Sequence, residues 1–219
     1  MKFMLSVAAV AAVAGTASAE FTGFSVEIAQ QSGGLTAYQV FANFNGATDT
    51  VLNAFQIHNT DGSGVISGFY HADALTGGAS SNVAGTWNPQ FVLAPGAMDS
   101  YVCIGGGTGF ASGNSTAADP GWGNAGFNQA GIADTASNGV AGWFNQNPPN
   151  LQGQNIDGKT LLGQFVLSDS ASMSLFMKIG YNAGVSGSSV QFGEGIFTLP
   201  APGAVALLGL AGLAGRRRR

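Results

Sequence analysis

Residues 173–181 read Met-Ser-Leu-Phe-Met-Lys-Ile-Gly-Tyr, and their odd-numbered positions are all apolar. A period of two residues is typical of a β-strand with one face buried in a core. The same alternation runs through residues 24–28, 38–44 and, less regularly, 51–57. These segments predict long, half-buried strands, and helical periodicity is nearly absent from the chain.

Shorter apolar runs predict further strands, at residues 65–70, 91–93, 100–104, 140–144, 161–167 and 190–198. Turn-forming pairs such as Gly33-Gly34 and Asp157-Gly158 separate the strands. This pattern predicts an all-β fold over residues 20–198, an antiparallel β-sandwich of jelly-roll or cohesin-like type. Residues 105–129 are glycine-rich without a usable period, so they predict a long loop and the first place to expect a binding site.

The amino terminus predicts export. Lys2 precedes an almost wholly apolar run at residues 4–14, and Ala17-Ser18-Ala19 forms a small-residue cleavage motif before Glu20. Residues 1–19 are therefore predicted to be a signal peptide that a signal peptidase removes between Ala19 and Glu20.

The carboxyl terminus also combines an apolar run with positive charge. Leu199 precedes Pro200, Ala201, Pro202 and Gly203; residues 204–215 are apolar, and the chain ends in Arg216, Arg217, Arg218 and Arg219. An apolar run followed by clustered positive charge predicts a membrane-inserting segment whose arginines stay on the cytoplasmic side. A helix over residues 204–215 would be about 18 Å long against a hydrocarbon core of about 30 Å, so we expect only transient insertion.

This tail resembles that of the PEP-CTERM class of exported bacterial proteins. In that class an exosortase reads a Pro-rich tripeptide, an apolar segment and an Arg-rich end, matched here by residues 200–202, 204–215 and 216–219. Ala201 stands where the class name has Glu, as in planctomycete-type members with P-A-P-G-A. The resemblance implies processing of residues 199–219 by an exosortase-like enzyme, and a place in extracellular polysaccharide or biofilm material. A sortase signal is the alternative, because residues 199–203 differ from L-P-x-T-G only at Pro202.

The charge of the middle region excludes some partners. Residues 20–203 contain Lys159, Lys178 and no arginine, against eleven carboxylates, a net charge of −9. Nucleic acids and anionic membrane surfaces are bound through clustered Lys and Arg. We therefore expect neither as a partner.

No catalytic residues are predicted. The sequence contains no G-x-S-x-G, H-E-x-x-H or paired-cysteine zinc motif, and the G-x-G-x-x-G match at residues 121–126 lies in a glycine-rich loop instead of between a strand and a helix. Cys103 lies in an apolar run, which predicts a buried, inert thiol. A secreted hydrolase stays an alternative, with Glu27 and Glu194 as the carboxylates on predicted strands.

The sequence predicts a protein without cofactors, and two kinds of metal site are the alternatives. His58 and His71 would need Asp61 and Asp73 beside them to hold a metal. Oxygen-rich turns could hold a structural calcium ion, with ordinary Asx turns as the competing explanation. The turn residues concerned are Asn114, Asp119, Asp134, Asn155 and Asp157.

Three tryptophans are candidate glycan-binding residues. Trp87, Trp122 and Trp143 stand beside Asn, Gly or Gln in loop-like contexts. Exposed rings with neighbouring amides suit a sugar-binding surface, whereas buried rings would fill the ends of a sandwich. The sequence thus predicts an exported, non-enzymatic surface or matrix protein with a structural or adhesive role, and a lectin-like glycan-binding module is the alternative.

Overall fold

The structure is a computed structural model that describes residues 20–61, 65–66, 68–71, 87, 98–106, 114–119, 132–133, 142–184 and 189–201. Within these residues the long strands are β1 (Phe21–Ser32), β2 (Leu35–Phe44), β3 (Thr50–Asn59), β9 (Lys159–Ser168), β10 (Met173–Asn182) and β11 (Val190–Leu199). The short strands are β4 (Val65–Ile66), β5 (Tyr101–Val102), β6 (Thr116–Ala118), β7 (Ile132–Ala133) and β8 (Gly142–Asn145).

The strands form two antiparallel sheets packed against each other. The first sheet has the order β1-β2-β9-β5, the second has the order β11-β10-β3-β8-β6, and β4 pairs with β7 separately. The predicted antiparallel β-sandwich is confirmed. Its jelly-roll or cohesin-like connectivity stays a prediction.

The alternating residues of the long strands build the core between the sheets. In β2 the buried set is Tyr38, Val40, Ala42 and Phe44. In β10 it is Leu175, Met177, Ile179 and Tyr181. Both sets belong to one hydrophobic cluster, so the period of two in the sequence identifies the inner face of each sheet.

The glycines of β11 let the two edge strands close one side of the sandwich. Gly193 and Gly195 face β1, where the Phe21 and Phe24 rings pack edge to face with centroids 4.9 Å apart. A Cβ on Gly193 would lie 2.4 Å from Phe21 Cδ1. Phe24 also packs on Phe197 of β11, with centroids 5.7 Å apart, so aromatic rings seal this edge.

The bounds of two predicted short strands and the content of the predicted long loop differ in the structure. Among the described residues of the run 65–70 a strand forms only at Val65–Ile66, and in the run 100–104 it forms only at Tyr101–Val102. The predicted loop at residues 105–129 contains β6, because β8 offers a partner edge to residues 116–118. The predicted strand at 91–93 lies outside the described residues.

The described part of the chain ends within the Pro-rich motif, directly after β11. Leu199 is the last residue of β11 and fully buried, so the predicted domain boundary after Thr198 falls inside a strand. The Tyr38 hydroxyl donates a hydrogen bond to the Pro200 carbonyl, and Pro200 and Ala201 are partly exposed. Residues 1–19 and 202–219 lie outside the described residues. In the described part of the chain, no helix is long and apolar enough to cross a bilayer.

Candidate binding site

A groove of about 480 Å³ lies over strands β3 and β8 of the second sheet. Its lining residues are Leu52, Asn53, Ala54, Phe55, Asp119, Gly142, Trp143, Phe144, Asn145 and Pro148. The lining combines an apolar, aromatic majority with two amides and one carboxylate. A concave apolar surface with a few polar groups is the usual character of a small-molecule site.

Close pairing of β3 with β8 shapes the groove. Phe144 lies opposite Asn53, and Gly142 lies opposite Phe55. A Cβ on Gly142 would lie 1.9 Å from the Ala54 carbonyl oxygen, so only glycine allows this approach. The β3 register also shifts near Gln56, which has a φ of 51°, and such bulges redirect the neighbouring side chains.

A network of hydroxyl and amide groups holds the rim at the Pro148 end. Asn145 Nδ2 donates to Asn150 Oδ1 over 3.0 Å, and Asn150 Nδ2 donates to Ser115 Oγ over 2.7 Å. Gln152 Oε1 accepts from the Ser115 amide over 2.8 Å, while its Nε2 donates to the Ile104 carbonyl over 2.7 Å. Because these groups bond one another, the single-turn 3-10 helix Pro148–Asn150 is fixed beside β8.

Asn53 has an unused donor at the groove. Its Oδ1 accepts a hydrogen bond from the Gly180 amide over 2.8 Å. Its Nδ2 makes no hydrogen bond within the described part of the chain. The neighbouring Phe55 packs edge to face on Phe192, with centroids 6.2 Å apart. The groove therefore offers an aromatic surface next to a free amide donor.

The structure places two of the three candidate tryptophans in the core. Trp143 is 1% exposed, and its Nε1 donates to the Cys103 carbonyl over 2.9 Å. Trp87 is fully buried and packs on Phe69 with ring centroids 4.9 Å apart. Their prediction as exposed glycan-stacking rings is wrong, because both rings fill space inside the sandwich, and Trp143 reaches the groove only as part of its floor. Trp122 lies outside the described residues.

The two histidines occupy different places. His58, on β3, stacks on Phe176 with centroids 4.6 Å apart. His71 is buried beside the first sheet, with Nδ1 at 2.9 Å from the Ser100 carbonyl and 3.8 Å from Asp99. The structure does not bring them together, and among the described residues no group of three His, Cys, Asp or Glu could hold a metal ion. Asp73 lies outside the described residues.

Glu27 and Glu194, the carboxylates considered for a hydrolase, lie on different sheets. Glu27 of β1 forms an ion pair with Lys159 on the first sheet. Glu194 of β11 pairs with Lys178 on the second sheet, over 2.9 Å. Each carboxylate is bound to its own lysine on a separate sheet, so the structure does not place them as a catalytic pair.

Asn114 and Asn155, considered as calcium ligands, form hydrogen bonds within local turns. Asn114 Oδ1 accepts from the Thr116 amide over 3.0 Å, and Asn155 Oδ1 accepts from the Gly158 amide over 3.1 Å. Asp157 is exposed, with a φ of 53°. These are the Asx-type turns named as the competing explanation. Asp134 lies outside the described residues.

Cys103 is fully buried, as predicted. It packs with Tyr101 and Leu161 in a second apolar cluster beside β9. Burial raises the pKa of the Cys103 thiol well above its ordinary value, which opposes formation of the reactive thiolate. Burial likewise raises the pKa of the Tyr101 phenol.

Sequence reasoning missed the groove residues Asn53, Phe55 and Phe144. Phe144 lies in a predicted strand, and the other two lie in the less regular run at 51–57. The missing information was the pairing of β3 with β8, which joins segments about ninety residues apart. Comparison of the chain with protein-family models, with curated proteins and with solved structures finds no match.

Proposed function

We propose that this chain is an exported, non-enzymatic adhesive protein of the cell surface or extracellular matrix, and that its β3–β8 groove binds a neutral segment of an extracellular polysaccharide. The groove carries the proposal, because it combines the Phe55 and Phe144 rings with the Asn53 amide and the Asp119 carboxylate. Sugar rings present apolar C–H faces and polar hydroxyl edges, so they need both kinds of contact.

The volume of the groove and the net charge of residues 20–203 limit the class of ligand. The groove of about 480 Å³ lies within the range of small-molecule sites, roughly 300–1,000 Å³, and is open to solvent at the sheet surface. A middle region with a net charge of −9 repels anionic chains such as uronic-acid polymers. A neutral or amino-bearing polysaccharide therefore fits better than an acidic one.

The two termini account for export and processing in the proposed function. A signal peptide over residues 1–19 would direct export, and residues 199–219 would hold the chain at the membrane until an exosortase-like enzyme processes it. Pro200 and Ala201 support this order of events, because they are partly exposed directly after the last buried residue of β11. The described part of the motif is therefore partly accessible, although Tyr38 of the core holds the Pro200 carbonyl.

Binding of the purified protein to an array of neutral polysaccharides, followed by calorimetry on the best ligand, tests the groove. Phe144→Ala should weaken binding about tenfold, since the lost aromatic contact in a partly buried site is worth on the order of 1.4 kcal/mol. Ile196→Ala is the matched control: it removes a 62%-exposed apolar side chain from the same sheet outside the groove, and binding should persist. Absence of binding to every polysaccharide would overturn the proposal, as would equal effects of the two substitutions.

A further inference from the structure

The outer face of β11 carries large apolar side chains beyond the groove. Val190, Phe192 and Ile196 point outward from alternate positions of the strand, and the Phe192 side chain is 62% exposed. Exposed apolar side chains that form a contiguous patch mark interaction surfaces, whereas isolated ones need no explanation. Phe192 belongs to such a patch, because its ring packs edge to face on Phe55 of the groove with centroids 6.2 Å apart.

The strand register places Phe192 in line with the groove. Phe192 lies opposite Gly180 of β10. Gly180 in turn lies opposite Asn53 of β3, and Asn53 lies opposite Phe144 of β8. The four positions form one row across four neighbouring strands. Because strands lie about 4.8 Å apart, the backbones of Phe192 and Phe144 are about 14 Å apart, and the row begins and ends with an aromatic residue.

The row is low between its two aromatic ends. Gly180 has no side chain, and its amide donates to Asn53 Oδ1 over 2.8 Å, which holds the Asn53 side chain against Gly180. A Cβ on Gly180 would lie 2.5 Å from Asn53 Oδ1, so only glycine leaves room for this contact. The sheet surface therefore forms a shallow trough, with Phe144 and Phe192 at its ends and the Asn53 amide on its floor.

The charged groups beside this trough neutralise each other. In the neighbouring row, Lys178 lies opposite both Phe55 and Glu194. Lys178 Nζ lies 2.9 Å from a Glu194 carboxylate oxygen and 5.8 Å from the centroid of the Phe192 ring. This pair offers hydrogen-bonding groups without net charge, which suits a neutral ligand with hydroxyl groups. A second copy of the chain suits the face less well, because copies with a net charge of −9 over residues 20–203 repel each other.

We infer that the binding surface continues from the groove across the sheet to Phe192, and that its ligand is an unbranched, extended, neutral glycan with β-1,4 linkages. The inference rests on the proposed function of the groove. A straight row of ring, amide and ring matches a chain that stays straight and presents apolar faces and hydroxyl edges at successive sugar units. A coiled, α-1,4-linked chain would leave the sheet before it reached the second ring.

Calorimetry with cellohexaose, chitohexaose and mannohexaose, each compared with its disaccharide, tests the inference. At least one hexasaccharide should bind about tenfold more tightly than its disaccharide, since only the longer chain contacts both aromatic ends. Maltohexaose, which is α-1,4-linked, should gain no such advantage over maltose.

Phe192→Ala should weaken hexasaccharide binding about tenfold and leave disaccharide binding unchanged, because the groove itself stays complete. Phe192→Tyr keeps the ring and should bind as the unmodified protein does. Ile196→Ala is the matched control. It removes an equally exposed apolar side chain from the same face of β11, outside the row, and should bind both ligands normally.

The inference is wrong if hexasaccharide and disaccharide bind equally, if Phe192→Ala binds normally, or if Ile196→Ala loses as much affinity. A dimer of the unmodified protein that Phe192→Ala abolishes would also overturn it, since Phe192 would then serve contact between copies. Binding through Phe144 to other neutral polysaccharides alone would overturn the inference and leave the proposed function standing. Absence of binding to every polysaccharide would remove both.

Discussion

At the scale of single residues, Gly193 shows how the sandwich closes along its β1–β11 edge. A side chain there would collide with the Phe21 ring, whose Cδ1 lies 2.4 Å from the position of a Cβ. Gly195, two residues further on the same strand, has room, because its nearest neighbour, Phe24 Cδ2, lies at 3.5 Å. The two glycines therefore form a matched pair with different steric surroundings.

Gly193→Ala should lower the free energy of unfolding by about 1 to 3 kcal/mol, since Phe21 must leave its packed position. Gly195→Ala should be neutral or slightly stabilising, because alanine restricts the unfolded chain and meets only ordinary contacts in the fold. Urea unfolding of both variants checks the difference. Equal stability of the two would show that Phe21 does not seal the edge as described.

At the scale of elements, the second sheet depends on the close contact between β3 and β8. Gly142 permits it, since a Cβ would lie 1.9 Å from the Ala54 carbonyl oxygen and 2.6 Å from the Phe55 Cα. Both neighbours are main-chain atoms, which cannot rotate away. Because β6 pairs only with β8 among the described strands, both strands rely on this contact.

Gly142→Ala should detach β8 and β6 locally while the first sheet stays intact. Hydrogen exchange followed by mass spectrometry should show faster exchange in residues 116–118 and 142–145 and unchanged protection in β2 and β9. Gly195→Ala serves again as the control glycine. Uniform loss of protection in both sheets, or no change anywhere, would contradict this assignment.

The elements also show what the sequence can predict. Four of the six long strands, β1, β2, β3 and β10, follow from alternation, because one buried face imposes a period of two, as in β2 and β10. The other two, β9 and β11, follow from apolar runs, and β9 is buried along nearly its whole length. The three-residue β6 carries no such pattern and exists because β8 lies beside it. The groove was not predictable for the same reason. Its residues become neighbours only through pairing between distant segments, and the tryptophans that drew attention serve the core instead.

At the scale of the whole molecule, the proposed function assigns export to the two termini and ligand binding to the residues between them. All eleven carboxylates lie between residues 20 and 203, whereas five of the seven basic residues lie in the predicted signals at the ends. Removal of both ends would convert a chain of net charge −4 into one of −9. Under the proposed function, such a surface would keep copies apart, and the aromatic groove would bind the neutral polysaccharide.

The intact mass of the protein recovered from the surface or matrix fraction of its native host tests this account most directly. We predict a chain that begins at Glu20 and lacks Arg216–Arg219, alone or with an attached group at its new carboxyl terminus. A full-length mass, from Met1 to Arg219, in material recovered from the cytosol would contradict export and the surface role that depends on it.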